Sequence, residues 1–309
     1  MNPKNLFLTA LLTITVTAVQ AWDDGGHLLI GEIAARQLRP EVVKKMEVLL
    51  PLLDTKFNDE RPYNLVTVGT WMDDMRGLGQ TYLWKTWHYV DVPCAGNTFV
   101  EPPPPHALWA LDQATAILRN PSADPKARAE ALGQIIHLVG DIHQPLHTAD
   151  RNDSGGNGMR LDPLTDSPSG PSNLHAFWDA TYRYDAQEGI ISELWPRPLL
   201  YSRPQTVNAP GVIAEQASLL LKKALKIGAT PTSKQPWHDW AYETHMIACQ
   251  SGWPQEAPDA ATGKVQLTPA FVHTAHEIAT QQIVKAGTRL AALLNELLGE
   301  NQPKKERQP

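Results

Sequence analysis

Apolar residues recur along this chain at helical spacing, and nowhere do they alternate for long enough to make a convincing strand. After Asp23-Asp24-Gly25-Gly26, the run from His27 to Leu38 sets Ile30, Ile33, Ala34 and Leu38 on one face. Glu41 to Leu53 is a second amphipathic run with Pro40 at its entrance, and His106 to Leu118 is a third. Asp124-Pro125 reads as an N-cap followed by proline in the first turn. The helix it opens runs through Ala131, Ile135, Ile136 and Val139 and carries His137 and Asp141. Val212 to Ile227, Trp237 to Ala248 and a long helix from about Pro269 to Leu298 follow. The pattern predicts an all-α fold, a single compact helical domain over 22–300, with a polar, disordered tail from Asn301 to Pro309. The strand expectation is confined to a short hairpin near Thr86 to Val92. Two long loops interrupt the helices. Cys94 to Pro105 ends in four prolines, and Asn152 to Asn173 is rich in Gly, Ser, Pro and Asp. Loops of that length inside a domain are commonly functional or disordered.

The first residues stand apart from this pattern. Lys4 supplies one positive charge, Leu6 to Val19 is an apolar run broken only by threonines, and Val19 and Ala21 are small residues at its end. The run is shorter than the roughly 20 residues of a membrane span and has the form of a secretory signal. Removal of 1–21 would leave 288 residues beginning at Trp22, with no membrane anchor. An uncleaved anchor is the alternative. The expected location is secreted or periplasmic.

Composition narrows the choice of partners. The formal charge is −6, and −7 once Lys4 leaves with the signal, so the chain lacks the basic excess of a broad duplex-binding surface. Any anionic substrate must be held locally, as by metal ions. The two cysteines, Cys94 and Cys249, are expected to pair in an oxidising compartment, with two free thiols as the alternative. No Gly-x-Ser-x-Gly nucleophile turn or phosphate-binding Gly-rich loop is present.

The chemistry lies in the histidines and aspartates. His137 and Asp141 are four residues apart, as are His175 and Asp179, so each pair presents imidazole and carboxylate from one helical face. That is a nitrogen and oxygen set zinc accepts. Both pairs sit in largely apolar helices, where buried charge needs a partner or a metal. Simple His–Asp couples would leave His147, just past Pro145, without a role.

Taken in order, the segments of the chain resemble the zinc-dependent single-strand-specific nucleases with 3′-nucleotidase activity, whose fold group includes bacterial zinc phospholipase C. The likeness runs from Trp22 to about Asn295. It rests on Trp22-x4-His27, Trp71-x-Asp73, His88-Tyr89-Val90-Asp91 and His137-x3-Asp141-x5-His147 with Gly140-Asp141-x-x-Gln144-Pro145-Leu146-His147. Gly155-Gly156-Asn157, Asn173-Leu174-His175-x-x-Trp178-Asp179 and the closing Arg289 to Asn295 complete it.

The resemblance implies a trinuclear cleft holding three zinc ions. One would take Asp73, His88 and His137, with Asp141 bridging to a second. The second would take the amino group and carbonyl of Trp22 with His27, and the third His147, His175 and Asp179. It also implies attack of an activated water on phosphorus, with Asp73 and Asp141 as the catalytic carboxylates. Asp91 would contact the nucleobase, Tyr89 would stack on it, and Asn157 would meet phosphate or base. The substrates would be single-stranded nucleic acid and 3′-nucleotides, acted on by a monomer with no stable protein partner. Asp74 is read as a neighbour of the ligand Asp73, and His143 as a packing or supporting residue. His238, His245, His273 and His276 are read as structural or exposed. A phospholipase C of the same fold is the competing activity, although that pattern carries Glu where this chain has Asp179. A non-catalytic zinc-stabilised binding protein is the competitor from another class.

Overall fold

The helix Pro125–Asp141 organises the molecule because its second half is apolar on every side. Each residue from Ala131 to Asp141 is buried, the pattern of a helix at the centre of a core. The computed structural model describes residues 22–55, 63–75, 79–95, 98–163, 171–185, 189–190, 210–223 and 235–299. The expected signal, the tail, residues 164–170 of the long loop and 224–227 at the end of a predicted helix lie outside them.

In chain order the helices are α1 (Asp24–Ala35), α2 (Pro40–Leu49), α3 (Trp71–Asp74), α4 (Ala107–Arg119), α5 (Pro125–Asp141), α6 (Leu174–Ala180), α7 (Pro210–Lys223), α8 (Pro236–Ser251) and α9 (Pro269–Leu298). Their boundaries follow local chemistry. Asp124 takes the amide of Ala127 and Pro125 occupies the first turn of α5. Asn173 takes the amide of Ala176 to start α6, and Thr268 takes that of Phe271 to start α9. The predicted run to Leu53 divides, α2 passing at Leu50 into a 3₁₀ turn that contains Pro51.

Between α4 and α5 the short turn 120–124 brings the chain back on itself, and the two helices pack along each other. α1 packs against α9 and approaches α5. The predicted hairpin near Thr86 to Val92 does not form. Residues 79–88 are a run of 3₁₀ turns, and the segment after it pairs with a distant one. Val90 donates to His147 O (2.7 Å), Asp150 to Val92 O (2.9 Å) and Cys94 to Asp150 O (3.0 Å). Among the described residues the only sheet is a two-residue antiparallel ladder, β1 (Tyr184–Asp185) with β2 (Gly189–Ile190).

Two apolar clusters result. The larger holds α1, α2, α4, α5 and α9 together through residues such as Leu29, Ile33, Trp71, Leu108, Ile135 and Ile283. The smaller gathers Leu146, Phe177, Trp178, Ala248, Trp253 and Val265. A Cys94–Cys249 disulfide ties the 90–94 segment to α8 across 155 residues of sequence. Among the described residues no helix is long and apolar enough to cross a membrane.

Candidate metal centre

The C-terminal end of α5 meets α1 at a glycine. A Cβ at Gly140 would come within 3.0 Å of the His27 ring, so the missing side chain lets the imidazole lie flat on the helix. His27 stacks on His137 with ring centroids 4.1 Å apart. Asp141, one residue on, divides its two oxygens. Oδ2 lies 3.0 Å from His88 Nδ1 and 3.3 Å from His137 Nε2, while Oδ1 lies 3.4 Å from His27 Nε2. Asp73 Oδ1, at the end of α3, is 3.9 Å from both His88 Nδ1 and His137 Nε2.

A second constellation sits beside the smaller apolar cluster. His147, from a 3₁₀ turn after Pro145, and His175, from the first turn of α6, bring their Nε2 atoms to 3.2 Å. Asp179 Oδ1 is 3.8 Å from His175 Nε2. Eight of the nine expected ligands thus fall into three groups of convergent donors, namely His27 with His137 and Asp141, Asp73 with His88 and His137, and His147 with His175 and Asp179. The ninth, Trp22, offers backbone atoms. It is fully buried, and its indole donates to Gly140 O (3.0 Å).

Backbone carbonyls orient three of the imidazoles. His137 Nδ1 donates to Gly69 O (2.7 Å), His147 Nδ1 to His88 O (2.7 Å) and His175 Nδ1 to Gly155 O (2.6 Å). A carbonyl can only accept, so each bond places the proton of the neutral ring on Nδ1 and leaves the lone pair on Nε2, the arrangement usual for metal-ligating histidines. The carbonyl that holds His175 comes from a tight turn. Ser154, Gly155 and Gly156 take φ of 59°, 59° and 82°, the left-handed region that glycine tolerates best.

Electrostatics favours a cation between the carboxylates. Burial opposes charge on His137, yet Asp141 and Asp73 outweigh it and raise its pKa to about 9. Burial, joined by His137, pushes His27 below the usual imidazole range, and burial likewise lowers His88. Burial would raise Asp141, but His137, then His27 and His88, hold it well below the ordinary carboxylate value. Burial pushes Asp179 well above it. Both ring nitrogens of His27 and Oδ1 of Asp141 are buried without a hydrogen-bond partner. Buried polar atoms are ordinarily satisfied, and a cation between His27 Nε2 and Asp141 Oδ1 would satisfy that facing pair. The donor set therefore fits zinc.

The remaining sequence candidates are less concentrated. Tyr89 is half-buried beside His88. Asp91 is solvent-exposed, yet partial desolvation against the protein, with Asp150 and Asp153, raises its carboxyl to about 6. Asn157 donates its side-chain amide to Ser154 O (2.8 Å) within the turn. Asp74 accepts from Tyr63 (3.0 Å) and Thr70 (2.9 Å). His143 is buried between Val139 O (2.7 Å) and Arg289 (3.0 Å), and burial with Arg289 lowers its pKa to about 3. Trp178 packs with Phe177 and Phe271 and donates to Gly252 O (2.8 Å). His238, read from the sequence as structural or exposed, lies 2.6 Å from Glu101 Oε1 and 3.3 Å from Asp112 Oδ1.

Several contributors to the site carry no role in the sequence reading. Gln144 is buried and donates to Asp179 Oδ1 (2.7 Å), while its oxygen takes the amide of Leu146 (2.5 Å). Its position between Asp141 and His147 is the signal that could have found it. Asp150 Oδ1 takes the amides of Asp153 (3.2 Å) and Gly155 (2.9 Å), fixing the turn that supports His175.

Comparison with known proteins converges on this centre. The S1/P1 Nuclease family model matches residues 22–299. Endonuclease 1 of Arabidopsis thaliana is 26% identical over 96% of this chain and 93% of its own length. Nuclease S1 of Aspergillus oryzae is 23% identical over 95% of the chain and 97% of its own length. Nuclease P1 of Penicillium citrinum is 24% identical over 90% and 98%. With the match spanning every element that carries an expected ligand, the chain belongs to the S1/P1 nuclease family, whose named members are phosphodiester hydrolases.

Proposed function

We propose that this chain is an extracytoplasmic zinc-dependent nuclease. It cleaves single-stranded RNA and DNA to 5′-nucleotides and removes phosphate from 3′-nucleotides. The observation that carries the reading is the division of Asp141, whose two oxygens face different histidines, His27 on one side and His88 with His137 on the other. One carboxylate placed in that way suits two adjacent cations.

Asp73, His88 and His137 would hold one zinc, and Asp141 would bridge it to a second held by His27 and by the terminal amine and carbonyl of Trp22. His147, His175 and Asp179 would hold the third. Bound there, zinc lowers the pKa of water and stabilises charge on a phosphoryl group. The chain's own residues do the rest. The carbonyls of Gly69, His88 and Gly155 hold three imidazoles in the ligating tautomer. Gln144 orients Asp179 and stabilises its charged form. Asp91 would meet the nucleobase, Tyr89 would stack on it, and Asn157 would reach phosphate or base. The α-amine of Trp22 exists only after cleavage following Ala21. With a pKa near 8 it binds metal readily as the free base.

The test is product analysis of the mature protein with single-stranded DNA, a 3′-mononucleotide and phosphatidylcholine, each with and without a chelator. Chelator-sensitive release of 5′-nucleotides and of phosphate from the 3′-mononucleotide is expected. Release of phosphocholine alone would move the chain to phospholipase chemistry, and bound zinc without turnover would make it a binding protein.

A further inference from the structure

A chain terminus is a poor ligand unless something holds it, because terminal residues fray and a metal site tolerates only about 0.5 Å of misplacement. Trp22 and Asp23 are held on several sides. The Trp22 indole donates to Gly140 O (3.0 Å), and the Asp23 amide donates to Asp179 O (3.1 Å). Asp23 also caps α1, taking the amide of Gly26 on Oδ1 (3.1 Å), and so fixes the helix that carries His27. The same Oδ1 accepts the Tyr182 hydroxyl (2.6 Å), and Oδ2 pairs with Arg183 at 2.5 Å. Arg183 Nε closes the set by donating to the Tyr182 oxygen (2.9 Å). Tyr182 lies edge-on to the Trp22 indole, with centroids 6.3 Å apart.

This network is nearly sealed from water, the Arg183 and Asp23 side chains being 12% and 10% exposed. Charge-assisted bonds of this kind are stronger and more directional than neutral ones. Arg183 is also the cation that faces the carboxylate of Asp24, which otherwise sees Asp74, Asp73 and Asp23. The two donors come from the 3₁₀ turn Thr181–Arg183, which follows directly on α6 with its His175 and Asp179.

We infer that Asp23, Tyr182 and Arg183 form a latch that holds the processed terminus in register for zinc, so that Tyr182 and Arg183 are positioning residues for the terminal ligand. The latch also joins the two halves of the centre, since one end is the entrance to α1 and the other the exit from α6. The inference rests on the reading of Trp22 as a terminal ligand.

Its test uses the zinc-loaded mature protein, with folding monitored by circular dichroism. The α-amine is challenged with an acylating ester near neutral pH, and the N-terminal peptide is quantified by mass spectrometry. Zinc release to a chromophoric chelator is followed in parallel. The unmodified protein is expected to resist acylation. Tyr182→Phe and Arg183→Ala are expected to be labelled about tenfold faster and to yield one zinc more readily by a similar factor, the scale of lost support around a ligand. Arg183→Lys, which keeps the charge, is expected to recover part of the protection. Folded variants as protected as the unmodified protein would overturn the latch while leaving terminal ligation standing. Rapid acylation of the unmodified protein would overturn both. Should Arg183→Ala not fold, Tyr182→Phe decides, because it removes a single oxygen and keeps the ring.

Discussion

Gln144 and Asp179 are joined by a buried hydrogen bond of 2.7 Å, and the Gln144 oxygen is itself committed to the amide of Leu146. The amide group therefore cannot turn over, and its NH₂ must face the carboxylate. Burial pushes the Asp179 carboxyl well above its ordinary pKa, and Gln144 opposes that shift. Gln144→Leu, which removes the donor at similar bulk, should weaken zinc at the pocket of His147, His175 and Asp179 by roughly 10–100-fold. Competition with a chelator should show one of three ions released early. Unchanged affinity would reduce Gln144 to a packing residue.

A single residue added before Trp22 should abolish most nuclease activity while leaving the fold intact. The extra peptide bond converts a basic amine into an amide, which does not ligate zinc at neutral pH. The melting curve of the chelated protein should be the same with and without the extension, and the zinc count should fall by one. Full activity in the extended protein would reject terminal ligation.

Reduction of Cys94–Cys249 should loosen the chain most in its unfolded state. Closing a loop of 155 residues corresponds to about 5 kcal/mol in the chain-entropy model, an upper figure. The double variant Cys94→Ala/Cys249→Ala should therefore unfold at markedly lower denaturant concentration and with a steeper slope, because the unlinked unfolded chain exposes more surface. A midpoint equal to that of the unmodified protein would mean the link adds nothing to stability.

The helical pattern made most of the architecture legible. α1, α4, α5 and α9 are where periodicity and capping residues put them, because α4 buries an apolar face along α5, α1 and α9 bury theirs against each other, and the second half of α5 is buried on every side. The predicted hairpin failed for a physical reason. Val90 and Val92 do make ladder-type bonds, but with the 147–150 segment, and no local pattern reports a partner so distant in sequence. The His–Asp pairs were legible because helical spacing is local. The supports were not, since Gly69 O, Gly155 O and Arg183 act through contacts that only the fold creates.

His238 is another such case, and it carries a pH dependence. Burial opposes its protonation, but Glu101 and Asp112 outweigh it and raise its pKa, with His106 also nearby. A base with a raised folded pKa adds stability that is full below its unfolded value, about 6.5, and is lost as pH rises through the folded one. His238→Gln should therefore cost more thermal stability near pH 5.5 than near pH 8.5. An equal loss at both values would remove the charge from the explanation.

The boundary between the two apolar clusters runs through the ligands. α1 and α5 present His27, His137 and Asp141 from the larger cluster, while Leu146, Phe177 and Trp178 anchor the turn and helix bearing His147, His175 and Asp179 in the smaller. Ions held there would act as mortar between two bodies of unequal size. Stripped of them, the molecule has separable layers of resistance to opening. Amide hydrogens of α6 and the 145–148 turn would then exchange well before those in the middle of α5, and a protease would find its first cut on the smaller side.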